Sequence, residues 1–259
     1  MRISHSAIFM RFSWRALSFF VFVNIFFSNQ LNAQQNQNQH QHHQHHQNHL
    51  PAKSIDQKNI DQKNTEQKNI DHSAHNHEVG PAGATYDLRW LDAMQQHHTG
   101  ALLMSEYVFD IGVPGVGALA KTIWRDQAQE IKAMGQWRKA WFPEAPVYPV
   151  MLANGGDPNS LKALTRMSAA HIEAMRMMAN TPTRSNRVSW FLEGMLKHHG
   201  GALQMAHDAL KKSNNSTVKR LAREIIISQS FEIVELRGML QHDGLNKPEY
   251  YQFDKLFSL

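Results

Sequence analysis

The chain has 259 residues, with 27 Lys and Arg against 22 Asp and Glu, 17 His, 13 Met and no Cys. Without Cys there are no disulfides and no thiolate ligands, so stability must come from a packed core and any soft metal ligand must be Met or His. The formal charge of +5 makes no case for nucleic acid, because Arg2, Arg11 and Arg15 lie in an N-terminal segment without acids and the rest of the chain stands at +2.

The first 33 residues read as a secretory signal peptide. Arginines precede the apolar run from Ala16 to Phe27, and a polar stretch ends at Ala33, the expected cleavage point. An uncleaved N-terminal anchor is the alternative, since Leu31 is larger than the residue usually wanted there. The expected location is therefore periplasmic or secreted, with no membrane association after signal removal. Residues 34–84 form a low-complexity tract. His40, His42, His43, His45, His46 and His49 cluster among Gln and Asn, and a five-residue repeat follows, Ile55-Asp56-Gln57-Lys58-Asn59 and its copies. Such a tract buries too little apolar surface to offset its ordering entropy. It is either a neutral spacer or a loose binder of divalent metal ions.

From residue 85 to 259 the apolar period is helical. Helix one is expected from the N-cap Thr85 to Gly112, and helix two from about Val116 to Trp141, before Pro143, Pro146 and Pro149 force a linker. Helix three should run from Asp157-Pro158 to Thr181-Pro182, with Leu164, Met167, His171, Met175 and Met178 on its inward face. Helix four covers about Asn186 to Lys212, and helix five continues from the Ser213-Asn214-Asn215-Ser216 turn to His242 before Gly244. No strand-like alternation is visible. The aromatic tail, with Tyr250, Tyr251, Phe253 and Phe257, is suited to dock on the helices.

Two stretches repeat. Asp92-Ala93-Met94-x-x-His97-His98-x-Gly100-Ala101-x-x-Met104 returns at an offset of 101 as Glu193-Gly194-Met195-x-x-His198-His199-x-Gly201-Ala202-x-x-Met205. Gln127-x-x-Glu130-Ile131 returns at an offset of 102 as Gln229-x-x-Glu232-Ile233. Two matches in the same order indicate an internal duplication, with repeats of about 86–141 and 186–243. On a helix, Trp90, Met94, His97, Ala101 and Met104 share one face, as do Phe191, Met195, His198, Ala202 and Met205. His97 and His198 should look inward, with His98 and His199 at the flank of the apolar stripe. The fold expected from these elements is all-α, an antiparallel bundle of two duplicated hairpins plus a short connecting helix.

The duplicated Met-x-x-His-His-x-Gly-Ala-x-x-Met followed by Gln-x-x-Glu-Ile resembles the domain-of-unknown-function 305 family over roughly Tyr86 to Gly244. The resemblance implies a ferritin-like helical bundle, export and a link to copper. By motif position it points to Met94, His97, His98 and Met104, and to Met195, His198, His199 and Met205, as ligands.

The residues themselves agree with that direction. Thioether and imidazole suit copper(I), imidazole also accepts copper(II), and neither is lost to oxidation as a disulfide. Met167, His171, Met175 and Met178 form a further ligand-like run, and Glu130 and Glu232 are secondary candidates together with the histidines of the tract. The reading is a copper-sequestering or copper-delivering protein, not an enzyme, with copper-exporting or copper-accepting proteins as partners. Single inward Met and His residues are equally explained as core, so two rivals stay open. One is a di-metal carboxylate oxidase built from Asp92, Glu130, Glu193 and Glu232, which lacks the Glu-x-x-His pairs such sites use. The other is a metal-free structural bundle in which His-His and Gln/Glu strings hydrogen-bond across helices. No nucleophile triad, phosphate-binding glycine loop or basic recognition helix is visible.

Overall fold

A computed structural model describes residues 77–178 and 180–259. The expected signal peptide and the histidine cluster from His40 to His49 lie outside the described residues. Four long helices form the frame: α1 (Tyr86–Glu106), α2 (Val116–Trp141), α4 (Arg187–Lys212) and α5 (Ser216–His242). Between the two hairpins come a ribbon of β1 (Val150–Leu152) and β2 (Leu164–Arg166) and the short helix α3 (Ala169–Arg176). The architecture is the expected helical bundle. Among the described residues no helix is long and apolar enough to cross a membrane.

Local chemistry sets the boundaries. Asn215 caps α5 by accepting from the amides of Thr217 and Val218, and Gly244 takes the left-handed conformation (φ 78°) just past its end. Helix α1 is shorter than expected. It stops at Glu106, and Gly112, although left-handed, lies beyond a turn rather than at the helix end. Thr85 stands at the N-cap position of α1, but its hydroxyl donates to the carbonyl of Pro158 and leaves the helix N-terminus uncapped by that side chain.

The expected third helix is the main correction. Asp157 accepts from the amide of Asn159, Ser160 caps a 3-10 turn at Leu161–Ala163, and Ser168 caps α3 by accepting from the amide of His171. These side chains compete with a continuous helix for the backbone donors. Leu164–Arg166 instead pairs antiparallel with Val150–Leu152, Met151 opposite Thr165. Helix α3 then ends at Met177, a non-glycine residue in the left-handed conformation (φ 49°).

Helices α1 and α4 cross antiparallel at the centre. The Trp90 indole donates to the carbonyl of Met205 at 2.9 Å, and His97 meets His198. The apolar core has two parts. One gathers Tyr86, Trp90, Met94, Met205, Ala209 and Ile225; the other gathers Met104, Ile123, Phe191, Met195, Leu236 and Leu240. Along α1 and α4 the four histidines of the repeated motif fall between them.

Candidate metal centre

His97 of α1 and His198 of α4 are fully buried, with ring centroids 3.8 Å apart. The Nε2 of His198 lies 2.9 Å from the carbonyl oxygen of His97. A carbonyl only accepts, so His198 carries its proton on Nε2 and a lone pair on Nδ1. That Nδ1, and both ring nitrogens of His97, have no hydrogen-bond partner among the described residues. Burial holds both imidazoles well below the ordinary value of 6.5, and the neighbouring histidines push in the same direction. At neutral pH the pair is uncharged, with lone pairs to offer.

His98 and His199 were expected at the flank of the stripe; they are as buried as the inner pair, because α2 and α5 cover them. His98 Nε2 is 2.6 Å from Glu130 Oε2, and His199 Nε2 is 2.7 Å from Glu232 Oε2. The second contact is close but not aligned as a hydrogen bond. Each carboxylate favours the proton on Nε2 and leaves Nδ1 as the donor atom, the way an outer carboxylate orients a metal-bound histidine. The amide groups of Gln127 and the oxygen of Gln229, buried nearby in sequence, find no partner among the described residues.

Two residues outside the expected set join the centre. His77 packs edge-on against His97, ring centroids 5.7 Å apart. A Cβ placed on Gly201 would meet both His77 Nε2 and Met177 Sδ at 2.8 Å. Gly201 is therefore where an imidazole and a thioether close on α4, made possible by its missing side chain. Sequence reading assigned His77 to the histidine enrichment of the low-complexity tract rather than to the bundle, and passed over Met177 because its position depends on a left-handed turn that interrupts the helical period.

The remaining candidates are dispersed. Met94 and Met205 sit in one core cluster, Met104 and Met195 in the other, so the four motif methionines do not surround one point. Met167, His171 and Met175 stay together, but around a cavity against the β-ribbon rather than along one helix. Burial lowers the pKa of His171. Met178 leaves that group and packs against the second core cluster, since the turn at Met177 redirects the chain. Nor do the four carboxylates of the di-metal alternative meet. Asp92 pairs with Arg138 at 2.6 Å and accepts from the Val150 amide at 2.9 Å, whereas Glu193 accepts from Lys247 at 2.6 Å and from the Tyr250 hydroxyl. Among the described residues no three His, Cys, Asp or Glu side chains are arranged to hold a metal ion. A site here needs thioethers as well.

The family model described as "Domain of unknown function (DUF305)" matches residues 27–138 and 87–240. Comparison with curated proteins gives no match. Among solved structures the chain is similar to CopM in the Cu(I)-bound form, at 25% identity and a TM-score of 0.45 over 60% of this chain and 96% of that one. It is similar to CopM in the Cu(II)-bound form at 25% identity and a TM-score of 0.46 over 63% and 99%. A DUF305 fragment from Deinococcus radiodurans gives 24% identity and a TM-score of 0.44 over 63% and 99%.

Proposed function

The chain belongs to the DUF305 family, and within it we propose an exported protein that sequesters or delivers copper, held as copper(I) at the buried histidine layer of the bundle. The observation that carries this reading is the closure of His77 Nε2 and Met177 Sδ on Gly201 beside the His97–His198 pair. Imidazole and thioether come close together there, with His77, His97 and His198 buried and Met177 half-buried. Thioether with imidazole selects copper(I) over hard cations. A single charge also costs less to bury among neutral ligands than a double one. His98 and His199, braced by Glu130 and Glu232, are the supporting ligands on either side.

In this reading residues 1–33 are the export signal, and His40, His42, His43, His45, His46 and His49 collect copper(II) loosely ahead of the folded domain. The metal-free alternative is favoured by the His98–Glu130 bond, which gives the carboxylate and His98 Nε2 a partner without an ion. Anaerobic copper(I) titration of the full chain against a competing chelator separates the two. Tight binding that His97→Ala/His198→Ala and Met177→Leu weaken at least tenfold, with helical content kept, supports the copper reading. Affinity unchanged in these variants would leave the layer structural.

A further inference from the structure

A cavity of about 350 Å³ lies between the β-ribbon and α3. Its wall includes Met151 from β1, Met167 from the link between β2 and α3, and His171 and Met175 from α3. Met167 and Met175 are buried, while Met151 and His171 are half-buried. We propose that this cavity is a second, outer soft-metal site, binding copper(I) through three thioethers and one imidazole, separate from the His97–His198 centre. The site shares the copper reading of the protein but does not require the inner centre to bind.

The donors come from β1, the link after β2 and α3, all outside the repeated motif, and Met151 stands on the ribbon that displaced the expected helix. Turning the i, i+4 run into a ribbon and a short helix is what opens space between these side chains. Charge in the wall points the same way. The guanidinium of Arg89, fixed by bonds to Thr85 Oγ1 and to the carbonyls of Val79 and Pro81, lines the cavity, and among the described residues of its wall Glu78 is the one carboxylate. A hard divalent ion wants several oxygens and net negative charge, which this wall does not provide. A monovalent ion satisfied by thioether sulfur makes neither demand.

Two short segments serve both places. Glu78 to Pro81 wall the cavity while His77 packs on His97; Met175 faces the cavity while Met177 closes on Gly201. An ion held by Met175 is thus two residues along the chain from the inner thioether.

The test is a silver(I) titration of the full chain labelled with carbon-13 at the methionine methyls, following histidine ring signals in the same samples. Silver(I) is a redox-stable monovalent soft ion. The methyls of Met151, Met167 and Met175 are expected to shift together on binding, while that of Met134 stays in place. Met151→Leu/Met167→Leu/Met175→Leu, which conserves core volume, should lower the bound silver by one ion and leave the His97 and His198 response intact. Silent methyls in the unaltered protein, or full stoichiometry in the triple variant, would overturn the outer site. Shifts at these methyls and at His171 without any response at His97 and His198 would sink the inner centre alone.

Discussion

The two hairpins place the same motif in the same frame but clothe it differently. In the first, Asp92 reaches across to Arg138 and the Val150 amide, fastening the β-ribbon onto α1. In the second, Glu193 stands at the matching position and fastens the C-terminal tail through Lys247 and Tyr250. Gly100 receives the backbone of Arg176 from α3, whereas the Gly200 neighbouring its counterpart receives the ring of Phe253. What the hairpins share, the His98–Glu130 and His199–Glu232 contacts, sits inside; what differs lies in the segments around them. The comparison teaches that helix pairs set the histidine layer, and that the unrepeated segments decide which side of it gains extra donors.

Breaking the acidic anchors should show the largest contrast. Asp92 is fully buried, and removing it strands Arg138 and the Val150 amide, so Asp92→Ala should cost about 3 kcal/mol or more in urea unfolding. Glu193 and its lysine partner are both partly exposed; Glu193→Ala should cost about 1 kcal/mol. Equal costs would mean the two anchors are equivalent after all.

The glycines give the next contrast. A methyl on Gly100 would collide with the rigid backbone of Arg176, so Gly100→Ala should destabilise by about 2 kcal/mol and release α3. Gly200→Ala meets a side-chain ring that can rotate away, and about 1 kcal/mol is expected, with increased amide exchange confined to the tail.

The smallest contrast is in pH. Folding depresses the pKa of His97 and His198, so above about pH 6.5 neither folded nor unfolded chain takes protons at these sites and stability is indifferent to pH through them. Below that value the unfolded chain takes up protons that the core refuses. Stability then falls by up to about 1.4 kcal/mol per pH unit for each histidine. His97→Gln should flatten this acid-side slope by about one proton; denaturant midpoints between pH 4 and 7 provide the check. An unchanged slope would mean that His97 is not neutral in the folded chain.

Much of this frame was legible beforehand. The span of α2 and the antiparallel hairpins followed from apolar period and caps, and the inward turn of His97 and His198 followed from shared helix faces. The ribbon was hidden because Leu164, Met167, His171 and Met175 also fit a helical period, and only the side-chain bonds of Asp157, Ser160 and Ser168 break it. The full burial of His98 and His199 was not readable, since it depends on how α2 and α5 cover them. His77 and Met177 were missed for the same kind of reason: their places are set by chain path and a left-handed turn, not by periodicity.

The central claim is that sulfur and imidazole together hold copper(I) in the bundle. X-ray absorption at the copper edge, on the full chain loaded with one equivalent of copper(I), reads the ligand atoms directly. A mixed sulfur and nitrogen shell that loses sulfur when Met151, Met167, Met175 and Met177 are replaced by Leu is the predicted result. A shell of nitrogen and oxygen alone, unchanged by those replacements, would contradict it.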